Sequence, residues 1–380
     1  MTRNILISAF LFLSCSFDTN GQVADKIVKN FNDLRNLGYT ATLWEKDFFS
    51  DKISNDTIRA LISIDPIKEI KFFKIRGTDQ EEIFDGNKLF KLNLNENTYR
   101  VSANTENSLY FYRSLPYFVK EIKESVKKQK SIIQLPDSII NGISYYYLHI
   151  TNLDTIKNGK RIFNLVSLLV DKKTYLPYYY KRDMQGFIDG TNTFLTTFSE
   201  YYFSDYKINN KAFPDLAMIQ IPSNFSLEKP KVSLPLLKNG TKAPEVELSY
   251  ADGKLFNLEK EKGKVLLLNF TINGCPHCVE SIETLNKLFT KYKSEDFQIV
   301  SINPYDTQES ILKFNNRFNV KYPAYIKSEK INKILEDYHV DSYPTFYLID
   351  KHGNIARGFS GYYPTLEVEL TRSIDEISDL

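Results

Sequence analysis

The first apolar run has no period. Ile5 to Ser14 is an unbroken stretch of apolar and small residues behind one basic residue, Arg3, and polarity returns at Ser16, Asp18, Thr19 and Asn20. That is the pattern of a secretory signal segment, here residues 1–22, and it falls short of the roughly 20 apolar residues that a spanning helix needs. From residue 23 to residue 225 the period is that of strands. Tyr39 to Phe49, Thr57 to Asp65, Glu69 to Arg76, Gly142 to Thr151, Ile162 to Asp171 and Thr193 to Phe203 are rich in Tyr, Phe, Ile, Val and Thr, with turn formers such as Asp85-Gly86-Asn87 and Asn158-Gly159 between them. Consecutive antiparallel strands are predicted. Helical spacing takes over at Asn107 to Lys128, where Leu109, Tyr112, Leu115, Phe118, Val119, Ile122 and Val126 recur ahead of a basic end. A short helix over Ala24 to Leu37 precedes the sheet. Neighbouring residues on a strand face opposite ways, so the triplets Tyr145-Tyr146-Tyr147 and Tyr178-Tyr179-Tyr180 must put rings on both sides.

Neither period survives around Pro230, Pro235 and Asn239-Gly240, so residues 226–240 are predicted to be a linker between a β-rich domain, 23–225, and a second domain, 241–380. In that second domain strands and helices alternate. Lys264 to Thr271 is a strand, Pro276 to Lys293 a helix with Val279, Ile282, Leu285, Leu288 and Phe289 on one face, and Phe297 to Asn303 a strand. Helical pieces follow at Gln308 to Phe318 and Lys330 to Tyr338, then a hairpin of Thr345 to Asp350 and Ile355 to Tyr362, then a helix over Thr365 to Ile377. Such an order gives a central mixed sheet with helices on both faces, a thioredoxin-like α/β fold.

Composition narrows the function classes. A length of 380 residues suits two domains, and 42% hydrophobic with 25% charged residues is the balance of a folded protein, which excludes disordered and collagen-like readings. Lys plus Arg number 49 against 47 Asp plus Glu, so no electrostatic footprint for nucleic acid exists. The halves differ: 1–240 carries net +6 and 241–380 net −4, which spread over whole domains reads as solvated surface or as weak mutual orientation. Three cysteines are too few to staple a scaffold of this size. Cys15 lies in the signal segment, and the other two stand together in Cys275-Pro276-His277-Cys278.

In this motif the sulfurs are one helical turn apart at the junction of strand and helix, close enough to cycle between dithiol and disulfide without a cofactor. Pro276 suits the first helical position because it lacks an N–H that would go unbonded there. The helix N-terminus and His277 in the same turn favour a thiolate on Cys275, and a stabilised thiolate makes the disulfide more oxidising. Cys278, a turn deeper, is the resolving residue. Zinc is an alternative use of Cys275, His277 and Cys278, but His149, His339 and His352 are isolated in sequence and supply no fourth ligand. Spacing alone also allows a purely structural disulfide.

The surrounding segments resemble the TlpA/ResA-like thiol-disulfide oxidoreductases. Gly240-Thr241-Lys242-Ala243-Pro244 before a hairpin, Val265-Leu266-Leu267-Leu268-Asn269-Phe270 before the cysteines, and Tyr343-Pro344-Thr345-Phe346-Tyr347-Leu348-Ile349-Asp350 followed by Gly353 carry the likeness. The resemblance implies that Pro344 is the family's cis-proline and that Tyr343 offers its backbone to an extended substrate segment; an X-Pro bond alone would predict cis only about one time in twenty. Departures are also informative. Gly274 stands where the family has Trp, which leaves the site more open to substrate, and Ser281 stands where it has Glu, with Glu280 one position earlier. Asn269 replaces the buried Asp of thioredoxins, and the Pro-His dipeptide is similar to that of DsbA-like oxidases. Peroxiredoxin chemistry is a weaker alternative, because Thr271 is four residues before Cys275 rather than three.

Two further resemblances concern the first part of the chain. Ile83-Phe84-Asp85-Gly86-Asn87-Lys88-Leu89-Phe90-Lys91-Leu92 and Leu169-Val170-Asp171-Lys172-Lys173-Thr174-Tyr175-Leu176-Pro177 resemble the LolA-like lipoprotein carriers, which implies an incomplete β-barrel with a helical cover and a cavity for an apolar ligand. The alternative is that the aromatic residues fill a sheet core. Leu13-Ser14-Cys15 resembles the end of a bacterial lipoprotein box, whereas Asn20-Gly21-Gln22 resembles an ordinary cleavage site, so lipid anchoring through Cys15 and release are both open. The expectation is an exported oxidoreductase of a Gram-negative periplasm or envelope, acting on protein thiols and disulfides as a reductase or isomerase, with a membrane protein as electron donor. A binding module for an apolar ligand, with an accessory redox domain, is the alternative.

Overall fold

The computed structural model describes residues 22–378 apart from 50–51, 66–69, 104, 106–107, 189–193, 230–233, 251–254, 293–295 and 327–329. Residues 1–21 of the expected signal segment, Cys15 included, lie outside the described residues. Two compact units emerge: one holds residues up to Leu43 with Asp56–Asp183 and Glu200–Leu227, the other Trp44–Asn55, Met184–Ser199 and Glu228 onward.

A helix, α1 (Gln22–Asn32), opens the first unit and leads into a meander of β1 (Asn36–Lys46), β2 (Ile53–Ser63), β3 (Phe72–Arg76), β4 (Gln80–Phe84), β5 (Leu89–Asn93) and β6 (Thr98–Ser102). Helices α2 (Leu109–Tyr112) and α3 (Leu115–Lys127) then carry the chain to a second meander, β7 (Ser131–Ile140), β8 (Ile143–Lys157), β9 (Lys160–Asp171), β10 (Pro177–Phe187) and β11 (Phe194–Ile208). A two-residue strand, β12 (Ser226–Leu227), adds parallel to β6. Strand order is β12-β6-β5-β4-β3-β2-β1-β11-β10-β9-β8-β7, so the first and last long strands pair in the middle and α2 and α3 connect β6, next to one end of the order, with β7 at the other. This is a large, almost entirely antiparallel sheet with helices, not closed into a barrel, and it belongs to the first unit apart from Trp44–Lys46 of β1, Ile53–Asn55 of β2, Met184–Phe187 of β10 and Phe194–Ser199 of β11.

Local chemistry explains its joints. The turns Asn141-Gly142 and Asn158-Gly159 have both residues at positive φ, 51° and 77° in the first and 51° and 72° in the second, the backbone that tight two-residue hairpins need. Where one helix over Asn107 to Lys128 is predicted, there are two. Pro116 sits in the first turn of α3, where its missing N–H costs nothing, and Ser114 is the cap residue that separates the pair. The core alternates as strands require: Leu37, Tyr39, Ala41 and Leu43 on β1, and Ile58, Ala60 and Ile62 on β2, meet Val23, Ile27 and Phe31 of α1 and Leu115, Phe118, Val119 and Ile122 of α3. Tyr39 accepts the Leu115 N–H at 2.9 Å, which ties the start of α3 to the sheet, and burial pushes its phenol far up.

The second unit is an α/β layer structure. Its elements are β13 (Glu247–Tyr250), β14 (Leu255–Asn257), β15 (Val265–Phe270), α4 (Pro276–Lys291), β16 (Phe297–Ile302), α5 (Gln308–Phe318), β17 (Ala324–Ile326), α6 (Ile331–Asp337), β18 (Thr345–Ile349), β19 (Ile355–Ser360) and α7 (Leu366–Ser378). Strand order is β14-β13-β17-β16-β15-β18-β19, with β15 parallel to β16 and antiparallel to β18. Every residue of β15 is buried, because helices cover both faces. Leu266, Leu268 and Phe270 pack with Ile331, Ile334 and Leu335 of α6, whereas Val265 and Leu267 pack with Leu285 and Leu288 of α4 and Leu366, Leu370 and Ile374 of α7. Leu236 and Leu237 join the α6 cluster, and the Leu237 N–H donates to the Tyr347 hydroxyl at 3.2 Å. The end of the predicted linker is thus built onto this unit.

Candidate active site

Strand β15 ends at Phe270, and after four intervening residues the chain turns into α4 with Cys275 as its cap residue. Pro276 takes the first helical position, as its missing N–H predicts. Cys275 and Cys278 are joined as a disulfide, their Cα atoms 5.2 Å apart. The Cys278 N–H donates to Cys275 Sγ at 3.1 Å, so a negative charge on that sulfur would meet a hydrogen-bond donor as well as the helix N-terminus. Cys275 is 8% exposed and Cys278 2%, so Cys275 is the less buried residue of the bonded pair.

Opposite the disulfide, the Tyr343–Pro344 bond is cis, and the Tyr343 carbonyl oxygen lies 3.4 Å from Cys275 Sγ. A main chain that laid itself beside Tyr343 would therefore pass Cys275 Sγ. Gly274 borders the same place. A Cβ built on it meets nothing within 4 Å, so the glycine leaves open room and no local crowding demands it.

His277 is exposed and is held by Glu280, whose Oε2 is 2.7 Å from His277 Nδ1. The Ser281 hydroxyl is buried and donates to the Cys278 carbonyl at 2.7 Å, a structural bond in the place where the resembling family has an acid. Asn269 shares a face of β15 with Val265 and Leu267, the α4 side. It is 1% exposed, its Nδ2 donates to Ser301 Oγ at 3.2 Å, and its Oδ1 is buried without a partner.

A group of residues that the sequence did not single out joins this site through the loop after β16. Asn303 Oδ1 accepts the N–H groups of Tyr305 at 3.2 Å and Asp306 at 3.0 Å, while its Nδ2 donates to Asn273 Oδ1 at 3.1 Å and Asp306 Oδ2 at 2.9 Å. Asp306 Oδ2 also accepts the Asn273 N–H at 2.9 Å. Asn273 is two residues before Cys275, so the two loops are laced together. The exposed ring of Tyr305 stands edge-on to Tyr343, centroids 6.1 Å apart, and burial pushes the Tyr343 phenol up, with the Tyr305 hydroxyl adding to it.

Among the described residues no three of His, Cys, Asp or Glu are grouped to hold a metal ion. His149 is 3.4 Å from Ser167 Oγ and His339 is 2.7 Å from the Pro235 carbonyl, so each is engaged in its own neighbourhood. What the arrangement can do is exchange: a capped, partly reachable sulfur, a deeper partner that closes on it, and a backbone carbonyl beside them.

Residues 238–373 match the Redoxin family model. The thiol-disulfide oxidoreductase ResA of Bacillus thuringiensis is 32% identical over 122 residues, which is 32% of this chain and 69% of that protein. ResA of Geobacillus kaustophilus is 30% identical over 149 residues, 39% of this chain and 82% of the relative. Among solved structures, a putative thiol:disulfide interchange protein DsbE from Chlorobium tepidum is 26% identical, with a TM-score of 0.35, over 37% of this chain and 98% of its own.

Proposed function

The chain belongs to the ResA family of thiol-disulfide oxidoreductases through its second unit, and from that premise we propose that it reduces or isomerises disulfides of exported proteins at Cys275 and Cys278. The observation that carries this reading is the unequal burial of the bonded pair at a helix start, with Cys275 outermost. In the reduced protein the Cys275 thiolate attacks a substrate disulfide, forms a mixed disulfide and expels one substrate thiolate. Cys278 then loses its proton and attacks the Cys275 sulfur. That step closes the Cys275–Cys278 disulfide and expels the second substrate thiolate. Two electrons have passed to the substrate, and a membrane thiol partner returns them to the protein.

Within this scheme Pro276 starts the helix, His277 adds positive charge when protonated, Tyr343 offers its backbone beside Pro344, and Gly274 leaves room for the substrate chain. Ser281 cannot serve as an acid, so the proton of Cys278 leaves by another route. Cys278→Ser in the full chain should accumulate mixed disulfides with envelope proteins, and Cys275→Ser should accumulate none. Equal trapping by both variants would overturn the assignment of roles.

Export is part of the same proposal. Among the described residues no helix is long and apolar enough to cross a membrane. The signal segment, with Cys15 as its lipid attachment point or with cleavage at Asn20-Gly21-Gln22, delivers the protein to the envelope.

For the first unit we propose a LolA-like relationship, supported by an open antiparallel sheet with one face under α1 and α3. An apolar ligand would occupy that covered face. There Phe118 stacks on Tyr180 with centroids 4.1 Å apart and meets Tyr201 edge-on at 4.7 Å, so a ligand would have to displace packed rings. The redox reading is therefore the one we favour. Native mass spectrometry of the full chain that found a bound lipid would restore the carrier reading.

A further inference from the structure

We propose that Tyr305 is a specificity-determining residue of the exchange site, the platform for an aromatic side chain that flanks the cysteine of an extended polypeptide substrate. The inference rests on the exchange reading of Cys275 and Cys278 and adds the substrate feature that the site selects.

Three observations converge. First, Tyr305 is 63% exposed, far more than a ring kept for packing, while the Pro304 before it is buried. Second, its position is fixed. Asn303, 3% exposed, holds the Tyr305 and Asp306 N–H groups on one oxygen, and its amide nitrogen binds Asn273 and Asp306. Asn273, 2% exposed, also donates to the Ser310 hydroxyl at 2.9 Å, so the lock reaches the first turn of α5 as well as the loop that carries Cys275. A ring mounted on such a lock gives up little freedom when a ligand docks on it, and the docking is correspondingly tighter. Third, the ring adjoins the reaction. It meets Tyr343 edge-on at 6.1 Å, and the Tyr343 carbonyl is 3.4 Å from Cys275 Sγ. Next to the cysteine, Gly274 offers no wall of its own and leaves open space. The site's aromatic surface thus comes from the β16–α5 loop.

The chemistry defines the occupant. A chain that runs beside Tyr343 with its cysteine on Cys275 has neighbouring side chains within reach of the Tyr305–Tyr343 pair. Aromatic rings pack on aromatic rings edge-on or offset, and the site has room for one more. A glycine or serine at that place has nothing to put there. One aromatic pair, the substrate ring on Tyr305, adds a preference worth about fivefold to tenfold over such a residue.

The test uses the full chain and two symmetric peptide disulfides that differ only in whether phenylalanine or serine flanks the cysteine. Single-turnover rates of the reduced protein give the ratio between them. The expected ratio is about fivefold to tenfold in favour of phenylalanine for the unmodified protein and for Tyr305→Phe, falling to below about twofold for Tyr305→Ala. A general loss of activity lowers both rates and leaves their ratio alone, so misfolding cannot mimic this result. Oxidised protein with the corresponding peptide thiols should give the same ranking, which frees the test from the direction of the physiological reaction. A ratio near one in the unmodified protein, or an undiminished ratio in Tyr305→Ala, would overturn the proposal and leave the exchange reading standing. Failure of the unmodified protein to react with either peptide in either direction would remove the exchange reading itself, and this proposal with it.

Discussion

Glu280 Oε2 lies 2.7 Å from His277 Nδ1, across one turn of the helix that begins at Cys275. The pair holds an imidazole of the reactive turn in one orientation, whereas the acid position of the resembling family carries Ser281, whose hydroxyl is spent on the Cys278 carbonyl. His277 is thus the basic side chain of the Cys-x-x-Cys segment, and Glu280 is its positioning residue.

His277→Ala is expected to make the Cys275–Cys278 couple less oxidising. A protonated imidazole at a helix start stabilises a nearby thiolate, and for a two-electron couple about 30 mV corresponds to about 1.4 kcal/mol. Redox titration against glutathione should place the variant some tens of millivolts lower, on the order of 30 mV. Glu280→Ala should shift the potential too, and the double variant should fall short of the sum, because both substitutions remove one unit. Strict additivity would mean that Glu280 does not act through His277.

Glu82 gives a pH-dependent prediction in the first unit. Its side chain is 1% exposed and accepts the Ser108 hydroxyl and the N–H groups of Leu109 and Tyr110, both at 3.2 Å. Burial nevertheless wins and pushes its carboxyl above the ordinary value, with the Ser108 hydrogen bond the largest opposing effect. A carboxyl raised in the folded state favours folding while it is protonated, and that stability is lost as pH rises from its unfolded value, about 4.3, through the folded one. Glu82→Gln forfeits a hydrogen bond at every pH but has no charge to bury. The variant should be less stable than the parent by about 1 kcal/mol near pH 4, and the gap should narrow as pH rises. Urea unfolding at several pH values measures it; a gap that widened upward would contradict the direction of the shift.

Much of the second unit can be read from its sequence. The helix stripe at Val279, Ile282, Leu285 and Leu288 and the apolar run of β15 are periodic over whole elements, and tertiary packing preserves them. Elements were missed where one residue breaks the local rule. Pro136 lies in β7 and weakens its strand signal, yet the strand forms at the end of the sheet with a register shift between Leu135 and Ser138. Strand β4 carries Glu81 and Glu82 in succession and looks solvated, but Glu81 reaches Lys74 at 3.1 Å and Glu82 caps α2. The cysteine pair is legible from its spacing. Tyr305 is not: its tie to Asn273 through Asn303 and its contact with Tyr343 span some thirty to forty positions and exist only once β15, β16 and β18 lie side by side. The available signal was a turn of Asn, Pro, Tyr and Asp at the carboxyl end of a parallel strand, where α/β folds place their ligands.

Phe118→Ala is expected to cost about 3–5 kcal/mol, the range for a large aromatic removed from a core. The ring is 2% exposed and contacts Tyr180, Tyr201 and Phe203, whose centroids lie 4.1, 4.7 and 6.3 Å away. Denaturant unfolding followed by near-ultraviolet tyrosine signals would measure the loss. A cost below about 1 kcal/mol would mean that the rings collapse into the gap, as a pliable ligand-binding interior would.

Gly358 tests how the segment before the second unit is held. It lies on β19 opposite Tyr347, and a Cβ there would come within 3.0 Å of Tyr347 Cε1 and 3.3 Å of the Leu236 side chain. Tyr347 is wholly buried, donates to the Tyr338 carbonyl at 2.7 Å and accepts the Leu237 N–H, so it has no freedom to withdraw. Leu236 is only partly buried and is the group that must yield. Gly358→Val should therefore lift residues 235–237 from the α6 face and destabilise the second unit by about 1–3 kcal/mol, the usual cost of overpacking. Amide exchange gives the sharper readout: the Leu237 N–H should lose protection in the variant while the N–H groups of β15, bonded on both sides to β16 and β18, keep theirs. Unchanged protection at Leu237 would show that Tyr347 moves instead.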